Sequence, residues 1–275
     1  MTNPAPVRSV RYLPREHGAT AMLLTPIVCA AVLARAWRWA ELATLLAAFA
    51  AMAAKDPLVV LLRQRFVWKQ AHPETSAAAR WFAGWVLVLG LCGFVLLAAW
   101  PLRALAAFAL GIGLFGVLAI WVNVRNRQRS TLFQIASAAA LTSTSVAASL
   151  SAAGSVPPWG WWLWALLALQ ATAGILVVHA RLDARIALRS GSPGPRQFRR
   201  AAFAAVAVLA AAAVAAISLH RFWIAAALLL AVAGYLSDLR SQRSAASLQM
   251  PLKRVGLRAL TLSSIYAILL ILGLW

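Results

Sequence analysis

Acidic residues are what this chain has least of. Only six of its 275 residues are Asp or Glu, set against 26 Lys and Arg. Charged residues of both signs make up 12%, where a soluble domain carries about 25%, and 63% of the chain is hydrophobic. That balance excludes a soluble globular domain and points to an integral membrane protein. Cysteine is equally scarce. Cys29 and Cys92 are the only two, and each lies inside an apolar run, so no disulfide framework is expected. The sequence holds no Gly-rich nucleotide loop, no zinc-ligand spacing and no Gly-x-Ser-x-Gly elbow. A cleavable signal peptide is not expected either, because the first apolar run begins near Gly18, is long enough to span, and lacks a small-residue cleavage site. A net charge of +20 would suit nucleic acid, but the basic residues do not gather on one soluble face. They alternate between loops, as a membrane topology signal does, so membrane lipids rather than nucleic acid are the expected partners.

About 20 apolar residues carry a helix across the hydrocarbon core. Nine such runs are read, at 17–36, 39–62, 81–101, 103–122, 131–154, 159–181, 200–219, 222–239 and 256–275. Pro101, Pro157-Pro158 and the run Gly191-Ser192-Pro193-Gly194-Pro195 separate them, as helix breakers should. The expectation is an all-α, polytopic transmembrane bundle of about nine spans. It forms one integral membrane domain over 1–275, with 1–16 as a cytoplasmic N-terminal segment. Of the 26 Lys and Arg, 22 fall in the N-terminal segment or around the loops after the second, fourth, sixth and eighth runs. The other four are Arg35, Arg38, Arg103 and Arg221. This asymmetry predicts a cytoplasmic N-terminus and an outward C-terminus, and the Ala- and Arg-rich composition suggests that the membrane is a bacterial inner membrane. Trp37, Trp39, Trp100, Trp159, Trp161, Trp162, Trp164 and Trp223 fall near outward helix ends, and Trp68, Trp81, Trp85 and Trp121 near inward ends. They read as an aromatic belt.

Ionised groups at a membrane are costly unless they are used, so the polar helix ends are where a site is sought. Five of the six acids, Glu16, Asp56, Glu74, Asp183 and Asp238, collect on the inward side; Glu41 lies outward and reads as structural. Arg15-Glu16-His17 opens the first span, either as an interfacial anchor or as an ion-pair network lining a pocket. Lys55-Asp56-Pro57 precedes Arg63 and Arg65; a helix continuing through Pro57 puts Asp56 and Arg63 on one face, two turns apart. The plainer alternative is Lys55 neutralising Asp56, with the arginines setting topology. His179 and Asp183, at i and i+4, repeat the theme ahead of Arg185 and Arg189, either as an ordinary helix ion pair or as two ligands of a weak metal site. Arg125, Arg127 and Arg129 stand with no acid nearby and suit an anion, through paired guanidinium hydrogen bonds or simple contact with anionic lipid. The fifth run carries Thr131, Gln134, Ser137, Thr142, Ser143, Thr144, Ser145 and Ser149, which suggests hydrogen bonds between helices or a wet interior face.

The run Pro14-Arg15-Glu16-His17-Gly18-Ala19-Thr20-Ala21-Met22-Leu23-Leu24-Thr25-Pro26 resembles the opening segment of the YwiC-like family of bacterial membrane proteins. Those proteins typically begin with a basic residue, Glu-His-Gly, a short apolar step and Pro. More distantly, the plan is similar to the UbiA superfamily of intramembrane prenyltransferases. Those enzymes are nine-helix bundles with an inward N-terminus and Asp-rich motifs at the cytoplasmic ends of helices two and six. The resemblance implies a prenyl diphosphate bound through Mg²⁺, with Asp56 and Asp183 at the two motif positions and Arg125–Arg129 as the basic loop ahead of helix five. Where the superfamily's first motif resembles Asn-Asp-x-x-Asp-x-x-x-Asp, this chain has Asp56 alone, preceded by Lys55; in the second, His179 stands where an acid is expected.

The expected function is therefore a cytoplasm-facing polar cavity binding an anionic, lipid-like molecule such as an isoprenyl diphosphate. Arg15, Glu16, His17, Asp56, Arg63, Arg125, Arg127, His179, Asp183 and Arg185 are its candidate lining residues. The alternative is a non-enzymatic carrier or assembly subunit. A carrier needs polar groups at the midplane, and the sequence offers them only in the fifth run and at Gln170 and Thr172.

Overall fold

The computed structural model describes residues 17–70, 73–125, 130–191 and 197–275, without the side chains of His17 and Leu252. Among the described residues there are helices and no strands: α1 His17–Ala34, α2 Trp39–Arg63, α3 Thr75–Ala99, α4 Leu102–Val124, α5 Thr131–Thr142, α6 Thr144–Ala153, α7 Pro158–Ser190, α8 Gln197–Ser218, α9 Phe222–Ser241, α10 Ala245–Gln249 and α11 Leu252–Leu274. One turn of π-helix, Gln64–Trp68, continues α2 and stops at Lys69, whose φ of 51° reverses the chain. Eight stretches of these residues are long and apolar enough to cross a membrane, and Gly18–Ala34 is a shorter apolar helix. They account for the nine runs read from the sequence. The protein is a polytopic helical membrane protein.

Two departures from these runs bear on the site. The fifth run is not one helix: it breaks at Ser143 into α5 and α6. No Pro or Gly marks the break. Instead Thr142 Oγ1 donates to the Ala138 carbonyl (2.9 Å), Ser143 Oγ to Ala140 (2.7 Å) and Thr144 Oγ1 to Leu141 (2.8 Å). Hydroxyls bonding back to the preceding turn compete with the helical ladder and bend it. The second difference is α7. At 33 residues it is about 50 Å long, against a hydrocarbon core of about 30 Å. Pro158 starts it, pre-set for the first turn, and Gly191 ends it at φ 65°. A crossing that starts at Pro158 takes about 20 residues and leaves roughly the last dozen of α7, from His179 onward, as an overhang in length. Apolar runs stop where arginine begins; the helix does not, because Arg, Leu and Ala all favour helix.

The chain divides into two compact units, one taking in Leu42–Gln128 and the other Gly18–Glu41 with Arg129–Trp275. In the first, α3 and α4 pair and expose large apolar side chains such as Leu87, Phe94, Leu110 and Val117, as lipid-facing helices do. In the second, α7 is central: α5, α6, α8, α9, α10 and α11 all pack on it. Lipid tails are as apolar as leucine, so close van der Waals contact rather than exclusion from water holds these helices together. Alanine and glycine permit it. Ala173, Ala213, Ala227 and Ala231 are fully buried. A Cβ on Gly273 would stand 2.6 Å from Ile224 Cγ1 and 2.9 Å from the Ile224 amide nitrogen. Also in this unit Glu41, buried, accepts the Arg38 amide at 3.1 Å, half of a capping box that starts α2.

Candidate functional site

In the first unit the end of α2 is the polar feature. The helix continues through buried Pro57. Asp56 points outward, its side chain 53% exposed, with Lys55 Nζ 3.7 Å from Oδ1. Arg63 does not turn back toward it. Its guanidinium donates to the Asn123 carbonyl in the last turn of α4, while Asn123 Nδ2 donates to the Ala119 carbonyl at 2.8 Å. The final carbonyls of a helix have no intrahelical donors and carry the negative end of its dipole, so Arg63 is a cap for α4. Gln64, buried at the start of the π-turn, accepts Thr75 Oγ1 at 2.7 Å and so ties that turn to α3.

Between these ends lies a groove of about 830 Å³. Leu62, Phe66 and Val67 form one wall and Val117, Ile120, Trp121 and Val124 the other, with Arg125 beside them. Its shape depends on the π-turn. In an α-helix residues 62 and 66 share a face and 67 turns away. An i→i+5 turn takes up one residue more, so Phe66 and Val67 both come round to the face of Leu62. Arg125, exposed, holds its guanidinium carbon 4.4 Å from the centroid of the Trp121 ring, one turn back.

In the second unit the polar feature is the overhang of α7. His179 Nε2 lies 2.9 Å from Gln134 Oε1 of α5, and its ring stacks on Phe198 of α8 at 5.1 Å. It thus links three helices rather than pairing with Asp183. Asp183 is half-buried, and its Oδ2 is buried with no hydrogen-bond partner among the described residues. Arg185 is half-buried. Arg181, only 4% exposed, donates to the Ser247 carbonyl of α10 and faces Asp238 Oδ1 of α9 at 3.8 Å. Gln242 Nε2 donates to the Val177 carbonyl at 3.3 Å. Together these fasten the α9–α10 end to α7.

The hydroxyls of the fifth run mostly serve their own helix. Ser137, Thr142, Ser143, Ser145 and Ser149 each donate to a carbonyl three or four residues back. Thr144 also reaches the Leu23 carbonyl of α1 at 3.1 Å. Deeper in the unit, Gln170 Nε2 donates to Tyr235 Oη (2.8 Å) and Ser263 Oγ (3.0 Å), and Tyr235 Oη returns a bond to the Gln170 carbonyl (3.0 Å). Both amide hydrogens of Gln170 are thereby used in joining α7, α9 and α11.

Arg15, Glu16 and Arg127 lie outside the described residues, and His17 is described only in its backbone. Asp56 belongs to the first unit and Asp183 to the second. Among the described residues of either unit, no three His, Cys, Asp or Glu side chains come together. A divalent ion bridging a diphosphate wants several oxygen ligands. Asp56, half-exposed and beside an ammonium, does not fit that role. Phe66, Val67 and Phe198 were not singled out from the sequence. Trp121 and Arg125, four apart on one helix, carried the only readable signal for the groove.

The family model described as YwiC-like protein matches residues 13–149. Through that half, the chain belongs to the YwiC-like family. The opening run that resembled the family is part of the match, and so is every residue of the groove. The overhang of α7, with His179, Arg181 and Asp183, lies beyond the residues matched in this YwiC-like chain. No curated protein matches it.

Proposed function

We propose that this YwiC-like protein sits in the bacterial cytoplasmic membrane, N-terminus inside, and binds an anionic, lipid-like molecule at the basic inward ends of its helices. The observation that carries the reading is an apolar groove with the cation of Arg125 in its lining. A hydrocarbon chain suits its walls and an anionic group suits its guanidinium. A UbiA-like arrangement of nine spans, working as one domain, belongs to the same proposal, with the polar ends of α2 and α7 on one side of the membrane. The reading ends at binding and includes no prenyl transfer. It is preferred to a carrier because Gln170, the deep polar residue a carrier would use, has both amide hydrogens committed to neighbouring helices.

Two measurements test it. Purified protein in detergent should bind isoprenyl diphosphate or an anionic lipid saturably; no saturable binding of either, with or without Mg²⁺, overturns the binding reading. Reporter fusions at the two termini should place the N-terminus inside and the C-terminus outside; the opposite result removes the cytoplasmic address.

A further inference from the structure

We infer that the groove beside the π-turn takes a single lipid phosphate, hydrocarbon chain included, and holds it without a divalent cation. This rests on the amphiphile-binding reading above and narrows it to one class of ligand and one mode of recognition.

The donor set argues for it. Among the described residues that line it, seven are apolar, one is a cation, and none is a carboxylate or amide. A metal-bridged diphosphate needs protein oxygen ligands, and no described side chain of the lining supplies one. A guanidinium needs no metal. It offers two parallel N–H donors to one phosphate, and its planar face can rest on an aromatic ring at the same time. Arg125 has that ring in Trp121. Stacking uses the face of the cation and leaves donors at its edge.

One effect opposes an anion here: Arg125 stands at the C-terminus of α4, the negative end of the helix dipole. Arg63 offsets it, since its guanidinium already covers the Asn123 carbonyl in that last turn. Depth fixes the kind of occupant. From Val117 to Arg125 the groove follows α4 for about 12 Å, less than half of a core about 30 Å thick. Its ligand therefore belongs to one leaflet. A lipid of that leaflet reaches the groove sideways, with its phosphate level with the end of α4.

The full chain in nonionic detergent is titrated with phosphatidic acid, phosphatidylcholine, inorganic phosphate and farnesyl diphosphate, each with EDTA or with Mg²⁺, and binding is read by native mass spectrometry. Phosphatidic acid is expected to bind saturably in EDTA, and inorganic phosphate and phosphatidylcholine to bind far more weakly. Arg125→Gln should weaken phosphatidic acid at least about tenfold, the size of one lost charge-assisted hydrogen bond. Arg125→Lys should fall between, and Ile120→Trp, which fills the groove, should weaken it without changing the charge. Circular dichroism and monodisperse elution check that the variants fold. Phosphatidic acid binding that requires Mg²⁺ overturns this inference and leaves the amphiphile reading standing. Equal binding of phosphatidylcholine, effective competition by inorganic phosphate, or an undiminished Arg125→Gln variant overturns the groove as the site. No binding of any lipid or diphosphate overturns both.

Discussion

Replacing Tyr235 by Phe removes one oxygen from the interior of the second unit and leaves the ring in place. That oxygen makes two bonds, accepting from Gln170 Nε2 at 2.8 Å and donating to the Gln170 carbonyl at 3.0 Å. Two magnitudes compete. Leaving a buried group unpaired costs about 1–3 kcal/mol in soluble proteins. Measured hydrogen bonds between membrane helices average about 0.6 kcal/mol, because helices separated in lipid still find other partners. The second applies here, since α7 and α9 remain helices in lipid when they part. Two bonds at that value give about 1.2 kcal/mol of destabilisation for Tyr235→Phe. Gln170→Leu loses the same Nε2 bond and, in addition, the one to Ser263 at 3.0 Å. A double-mutant cycle of the two, read by unfolding in rising mole fractions of dodecyl sulfate, should give a coupling of about 0.6–1.7 kcal/mol. Tyr266→Phe, which loses one bond to the Leu166 carbonyl at 3.0 Å, should cost about half as much as Tyr235→Phe. A coupling of zero between positions 170 and 235 would refute the reasoning, because it would mean that the two side chains do not share their bonds in the folded protein.

Gly273→Ala should lower the midpoint of the same unfolding curve, because its new Cβ meets backbone at Ile224; Gly111→Ala, with nothing within 4 Å, should leave the midpoint unchanged. Asp56→Asn should change stability by less than about 0.5 kcal/mol in that assay, since the carboxylate is half-exposed and its pair with Lys55 is a long one at 3.7 Å. Arg181→Met should release α10 from α7, and limited trypsin digestion should then cut at Arg240 and Arg243 faster than in the parent protein. Deleting Val67 should convert the π-turn to an α-turn and abolish lipid binding in native mass spectrometry, with total helix content by circular dichroism nearly unchanged.

The spans were legible because a bilayer leaves few choices. Length and apolar content suffice to find α3, α4, α8 and α9 within a few residues, apart from an early start to α3 at Thr75. The break at Ser143 was not legible, since it arises from hydroxyls choosing carbonyls of the preceding turn over other partners, and composition cannot tell which they choose. At the site, helical periodicity put Asp56 and Arg63 on one face, but a long side chain is not confined to its own helix, and Arg63 reaches α4. The basic loop announced Arg125. The groove beside it stayed hidden because Phe66 and Val67 are adjacent in sequence, and neither the period of an α-helix nor that of a strand turns neighbours to the same side.

The bonds that join α7, α9 and α11 also set a timetable for the newborn chain. Tyr235 follows Gln170 by 65 residues and Ser263 follows it by 93. At about 5–20 residues per second, a ribosome delivers the tyrosine roughly 3–13 s after the glutamine and the serine roughly 5–19 s after it. Through that interval α7 holds a polar amide in the membrane with neither of its final partners made. Any helper that shelters unfinished helices at the translocon would therefore meet this chain at α7, in the interval before α9 arrives.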